Sequence, residues 1–304
     1  MCNSISMGTG ETNPNEWQKV FGVDTDHVDQ LDIVRRAENI DEQQIEKGFN
    51  WISNNVGKIS FDGNKLTEKS LRQQIAYYCA LKEIVEENEY SFIGVKCHYE
   101  MSAFYATPCL AIAMLNDPYD FDGEKAPICC SCEADANAAL TMRVLNLISG
   151  DPSFLVDTRH YDSDSNIFTL CNCGSVATWY TARSKNPTDN MGKVELCPII
   201  PKYKGVGCHT RFIAAPGEMT FARLTWNADH FKMVVFRGES LEMPLSKLDE
   251  TQPQWPHMFI KLKCDSEKLI NEYDSNHVHG VYGDYVEALE QFCKLKNIEF
   301  VYVD

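Results

Sequence analysis

Glu133 directly follows the apolar run Pro127 to Cys132, and Asp157 directly follows Phe154, Leu155 and Val156. Two carboxylates brought to one point suit a divalent cation or general acid–base work, because both need paired oxygens held in place. The stretch between them has to do the positioning. The run ending at Cys132 is too short for a helix and reads as a strand, while Ala138 to Ile148 carries apolar residues at three- and four-residue spacing and reads as a helix. Gly150 and Asp151-Pro152 stop that helix, and the second strand then delivers Asp157. In a βαβ unit the two strands run parallel, so both acids would lie at carboxyl ends on one sheet edge. Open α/β sheets bind ligands at that edge. Two such acids alone are more often a strand end and a helix cap, so the decision rests on the rest of the chain.

Upstream, Thr67 to Glu87 has the pattern of an amphipathic helix, with Leu71, Ile75, Tyr78, Leu81 and Ile84 on one stripe. Ser91 to Cys97 reads as a strand and Ala106 to Leu115 as the helix after it. Helix and strand thus alternate up to Asp157, which implies a mostly parallel sheet. Lys96 and His98 fall at the end of the strand expected beside the one ending at Glu133 and would share its ligand edge. Gly8-Thr9-Gly10-Glu11 is a weak glycine signal, and nothing before Met7 supplies a first strand and helix, so the chain is expected to open part-way through a layered α/β domain. After Tyr161 come short β-rich runs: Ile167 to Cys171, Cys208 to Ala214, Met219 to Thr225 and Phe231 to Arg237. They imply an antiparallel, barrel-like domain, closed by a helix from Tyr285 to Lys296 and a strand from Ile298 to Val303. The expected fold class is α/β plus β: a partial parallel α/β sheet domain over residues 1–150, then the barrel-like carboxyl-terminal domain over 151–304.

Composition narrows the partners. The net charge is −16, and no Lys/Arg block is present to neutralise phosphates, which argues against nucleic acid and anionic membranes. No run of apolar residues is long enough to span a bilayer, and Met1-Cys2-Asn3-Ser4 lacks the head of a secretion signal, so the expected compartment is the cytoplasm. The 13 cysteines, an odd number, fit free thiols in a reducing compartment. Cys129, Cys132, Cys171 and Cys173 do not have a zinc knuckle's glycine turn and are read as small core residues.

Two further stretches are candidates. Asn276-His277-Val278-His279-Gly280 reads as a loop leading to the last helix, in which one histidine can ligate while the other packs; surface histidines near a turn explain it equally simply. Asn172-Cys173-Gly174-Ser175 with Thr178-Trp179-Tyr180 combines small polar groups with aromatic rings, which suits sugar hydroxyls and sugar faces and equally suits a core.

Together, Gly94-Val95-Lys96-Cys97, Leu115-Asn116-Asp117-Pro118, Cys132-Glu133-Ala134-Asp135 with Ala139-Leu140-Thr141-Met142, Phe154 through Asp157-Thr158-Arg159-His160-Tyr161, Trp255-Pro256-His257 and Asn276-His277 resemble the L-fucose isomerases and their L-arabinose isomerase relatives. The resemblance runs from about Gly8 to the end and is most specific at the Glu133 and Asp157 blocks. It implies an aldose–ketose isomerase with a manganese ion held by Glu133, Asp157 and His277, His279 fitting the ligand position less well. Such a reaction needs one proton taken from carbon and another delivered, through an enediol whose developing oxyanion needs a cation. Glu133 and Asp157 would exchange those protons, and Ser175, Trp179, Trp255, Asn276 and His98 would line the pocket of a small monosaccharide, L-fucose or a related sugar. His98 stands where the family pattern leads us to expect an amide. The family also carries a further α/β domain before the segment that begins here, and a homo-oligomer is expected once that domain is supplied. The alternatives are a truncated, catalytically weak sugar- or metal-binding subunit needing a partner chain, and a structural remnant with no occupied site.

Overall fold

The computed structural model describes residues 12–200, 204–227 and 229–304, so Gly8-Thr9-Gly10-Glu11 lies outside the described residues. Three helices that the sequence pattern did not single out come first: Pro14–Phe21, Gln30–Ala37 and Glu42–Asn55. Each starts at an Asn or Asp, namely Asn13, Asp29 and Asp41, whose side chain accepts a hydrogen bond from a free backbone N–H of the first turn. The long helix Glu68–Glu87 follows, with Thr67 and Ser70 forming a reciprocal capping box. Its Leu71, Ile75, Tyr78, Leu81 and Ile84 are all buried, as are Tyr77, Cys79 and Ala80, so neighbours surround more of this helix than a single stripe. Among the described residues no helix is long and apolar enough to cross a membrane.

The expected parallel sheet is reduced to a short pair, Ile93–Val95 beside Cys130–Cys132. The strand Phe154–Asp162 does not join it. Instead it lies in a seven-stranded mixed sheet, ordered Gly217–Asn227, His277–Tyr282, Phe154–Asp162, Ile167–Cys171, His257–Leu262, His230–Ser240 and Glu299–Val303. The helix Ala136–Ser149 therefore connects two different sheets, and the βαβ expectation is corrected. Antiparallel neighbours on both sides, His277–Tyr282 and Ile167–Cys171, give Phe154–Asp162 two hydrogen-bonded ladders and bury Phe154, Leu155 and Val156. Gly280 makes this contact close: a Cβ there would stand 2.9 Å from Phe154 Cζ and 3.0 Å from Phe221 Cδ1.

The barrel-like expectation falls on this sheet, which is mixed rather than purely antiparallel. Gly217–Asn227 and His230–Ser240 pair antiparallel along their whole length, from Gly217 opposite Ser240 to Asn227 opposite His230, so the first and sixth strands of the order are also neighbours and the sheet curls back on itself. Glu299–Val303 joins His230–Ser240 in parallel. Inside the curl, Phe221 and Phe236 stack at 4.8 Å between ring centroids, with Phe154 6.2 Å from Phe221. The helix Ala136–Ser149 packs across Gly217–Asn227 and His277–Tyr282.

Because Phe221 is fully enclosed, Phe221→Ala is expected to cost about 3–5 kcal/mol of stability, through lost burial and the cavity left behind. Urea unfolding that showed an unchanged midpoint would contradict this placement of the core.

Candidate functional site

The chain turns sharply where the short parallel pair ends. Glu133 and Ala134 both take left-handed backbone conformations, with φ of 60° and 52°, and Ala134 N donates to Val95 O at 3.0 Å. Gly94 leaves the room: a Cβ there would stand 2.7 Å from Ser131 Oγ and 3.1 Å from Ala134 Cα. The turn ends at Asp135, which caps the helix Ala136–Ser149 by accepting a hydrogen bond from Ala138 N at 2.9 Å. At the other end Gly150, with φ of 77°, closes the helix as expected from the sequence.

The stretch around His277 is a strand, His277–Tyr282, not the loop expected. In a strand, residues two apart share a face. His277 and His279 accordingly point to the same buried network. His277 Nδ1 lies 2.7 Å from Asp135 Oδ2, Arg223 Nη1 donates to the same oxygen at 2.7 Å, and Arg223 Nη1 is 3.1 Å from His279 Nε2. His279 Nδ1 lies 3.2 Å from Phe154 O, which occupies its other nitrogen within the core.

With Nδ1 taken by Asp135, the Nε2 of His277 faces the acids. It stands 3.5 Å from Glu133 Oε2 and 3.6 Å from Asp157 Oδ1. Asp157 sits directly opposite His277 in the strand register and is steadied by Asn276 Nδ2, which donates to Oδ1 at 3.2 Å, and by Arg159 Nη2, 3.2 Å from Oδ2. Burial pushes the Asp157 carboxyl up to about 6, against the pull of Arg159. Glu133 moves the opposite way: its interaction with the His277 ring holds it below the ordinary glutamate value despite burial. Burial opposes charge on His277 too, yet Asp135 and Glu133 outweigh it and raise the imidazole to about 9. Burial likewise works against ionised Asp135, and Arg223 and His277 overcome it, holding that carboxyl well below the usual range.

These groups open on a cavity of about 210 Å³. Of the residues singled out from the sequence, Glu133, Asp157, His277, Asn276 and Trp255 line it, as do Asn172 and Cys173 of the stretch read as suiting a sugar. Arg159, also in the lining, lies over the Trp255 ring at 5.5 Å from the centroid. Ser175 and Trp179 are placed elsewhere. The Ser175 hydroxyl donates to Asn172 Oδ1 at 2.7 Å, and Trp179 is buried edge-on against Tyr180 at 5.2 Å, its backbone N–H bound to Asp117 Oδ1 at 2.9 Å. His98 is not in the lining. The pattern reading missed Asp135, Arg159, Arg223 and His209. His209 lines the cavity, and among the described residues neither ring nitrogen has a partner in hydrogen-bond geometry, with the Pro198 carbonyl the nearby backbone group that acts on it. Its only signal in the sequence is a polar residue inside a β run.

Among the described residues no group of three or more His, Cys, Asp and Glu side chains forms a ready-made metal cluster. The donor set nonetheless suits a cation. Ligands sharing one ion at about 2.0–2.2 Å stand roughly 3–3.6 Å apart, and a carboxylate behind the distal nitrogen of a ligating histidine is the usual outer support. Glu133 and Asp157 approach Nε2 at that spacing, with Asp135 behind Nδ1.

Residues 170–304 match the family model described as the L-fucose isomerase, C-terminal domain. The likeness to the L-fucose isomerase family read from the motifs is borne out. Over most of its length the chain is similar to sulfoquinovose isomerases: it is 22% identical to that of Alkalicoccus urumqiensis, over 96% of this chain and 61% of the relative, and 24% identical to that of Clostridium sp. (strain MSTE9), over the same shares. It is 23% identical to the L-fucose isomerase of Streptococcus pneumoniae (strain Hungary19A-6), over 92% of this chain and 60% of the relative. The chain thus spans about 60% of the length of these curated relatives.

Asp157 gives a pH test. Its folded value of about 6 lies above the ordinary 3.8, so its contribution to stability is fully present below about pH 4 and is lost as pH rises through 6. In chelator, Asp157→Asn is therefore expected to resist urea better than the parent at about pH 7.5, by about 1–3 kcal/mol, and to have no such advantage at about pH 4. An equal difference at both pH values would refute burial as the cause.

Proposed function

We propose that this chain is an aldose–ketose isomerase, or the catalytic part of one, acting on the open-chain form of L-fucose or a related aldose through an enediol. The observation that carries the reading is the convergence of Glu133 and Asp157 on the one His277 nitrogen left facing the cavity. The likeness to enzymes named sulfoquinovose isomerase and L-fucose isomerase supports the reaction class.

Glu133, Asp157 and His277 would hold a divalent cation, and manganese suits a set of carboxylates and imidazole. When bound, the ion supplies electrostatic stabilisation for charge developing on the two sugar oxygens. The protein's own groups do the rest. Glu133, held ionised, accepts the proton from the sugar carbon. Asp157 would deliver the other proton. Asp135 holds the His277 ring in a single orientation, and Asn276 and Arg159 fix the Asp157 carboxylate. Trp255 offers an apolar face to the sugar, and His209 offers a nitrogen for a hydroxyl.

The test is ketose formation from L-fucose, D-arabinose, L-arabinose and sulfoquinovose, with added manganese and after chelation, the assembly state being measured in the same preparation. Glu133→Gln is expected to lower turnover by about 10²–10⁴-fold. Near-parental turnover by this variant with manganese present, or full activity in chelator, would overturn the assignment.

A further inference from the structure

Four cysteines stand in a line along the wall of the same cavity: Cys97, Cys132, Cys173 and Cys109. Cys97 Sγ lies 3.3 Å from Cys132 Sγ, Cys132 Sγ lies 3.5 Å from Cys173 Sγ, and Cys109 Sγ lies 3.9 Å from Cys173 Sγ. All four are reduced. They come from distant parts of the chain, so the fold assembles the line and no sequence spacing announces it. Exposure differs along it. Cys97, Cys109 and Cys132 are buried, whereas Cys173 is partly exposed, and all four line the cavity.

We propose that Cys173 and Cys132 are an oxidative modification site, in which a small hydroperoxide admitted to the cavity converts them to a reversible disulfide. The first step is attack of Cys173 sulfur on the outer peroxide oxygen: an S–O bond forms, the O–O bond breaks, and the alcohol or water leaves with the thiol's proton. In the second, Cys132 sulfur displaces water from the resulting sulfenic acid, and the S–S bond forms. Two thiols lose two electrons in total and the peroxide gains them. Cys132 is the resolving partner because it is nearer to Cys173 than Cys109 is, at 3.5 Å against 3.9 Å.

Bond formation brings the sulfurs from 3.5 Å to about 2.05 Å. That movement pulls on Cys132, and the next residue is Glu133, whose left-handed backbone is set by the turn that Cys132 begins. The disulfide is therefore expected to disable the site. This consequence, unlike the disulfide itself, rests on the isomerase reading.

The experiment treats the reduced, full chain with hydrogen peroxide and maps thiols by mass spectrometry without reduction. The two cysteines fall in different tryptic peptides, residues 126–143 and 160–183. The expected result is a cross-link between these peptides, located by fragmentation to Cys132 and Cys173 and removed by dithiothreitol. Cys132→Ser is expected to accumulate a Cys173 sulfenic acid that a dimedone probe traps, Cys173→Ser to give no cross-link, and Cys109→Ser to retain it, with far-UV circular dichroism confirming that each variant is folded. No cross-link in the parent, a cross-link at other cysteines, or oxidation ending at sulfinic acid would overturn the proposal. Where the reduced chain isomerises a sugar, oxidation is expected to lower its rate at least tenfold, with recovery on reduction. A mapped cross-link in a chain without isomerase activity would sink the isomerase reading and leave the modification site standing.

Discussion

Asp135 is the point on which the rest of the site depends. Its carboxylate is 1% exposed, a position in which an unpaired charge would cost several kcal/mol. Three elements offset that cost together. The helix Ala136–Ser149 contributes its first turn, with the Ala138 N–H and the positive end of the helix dipole; the strand Gly217–Asn227 contributes Arg223; the strand His277–Tyr282 contributes His277. None of the three can shift without exposing the charge to a loss of partners. Glu133 lies two residues before Asp135, so the same anchor that fixes the imidazole also fixes the turn that carries the first acid. Structural and functional geometry here share one carboxylate.

The anchor also sets what His277 can do. Ionised Asp135 keeps a proton on Nδ1, which leaves Nε2 as the nitrogen that faces the cavity. In the absence of a cation, burial opposes a second proton on the ring, but Asp135, with Glu133 and Asp157, outweighs it and raises the imidazole to about 9. A cation held at this point, as proposed, would compete with that proton, because a ligating imidazole is neutral. Affinity for the ion and affinity for the proton would thus be opposed at one atom, while Asp135 would serve both states by stabilising the N–H on the far side of the ring.

The sequence made some of this legible, and physical reasons separate those parts from the remainder. Glu133 and Asp157 were found because each ends an apolar run, and Gly150 because a left-handed helix end favours glycine. His277 entered as a candidate through its motif, but its strand was read as a loop: glycine and two histidines mask an alternation in which His277 and His279 share one face. Asp135 looked like an ordinary helix cap because its partners Arg223 and His277 are 88 and 142 residues away. Trp179 and Ser175 had the composition of a sugar pocket, yet Asp117 binds the Thr178 hydroxyl at 2.8 Å and the Trp179 N–H, turning the indole inward. The acids, in turn, meet by a different route from the one expected. They come from different sheets, and His277 bridges them as the register partner of Asp157.

That difference explains the strained turn. In one continuous parallel sheet, Glu133 and Asp157 would both have projected from strand ends with ordinary backbone. Because Phe154–Asp162 pairs with His277–Tyr282 instead, Asp157 is fixed by the large sheet, and the chain leaving Cys130–Cys132 has to bend to bring Glu133 to the same nitrogen. Two successive non-glycine residues in the left-handed region, each costing about 1–3 kcal/mol, accomplish the bend. They persist because both sides of the turn are held, by Ala134 N on Val95 O before the helix and by Asp135 within its charged network after it. The absence of a side chain at Gly94 leaves space for the bend. The first acid is thus positioned by a turn that only the surrounding structure can maintain, and the second by a sheet register.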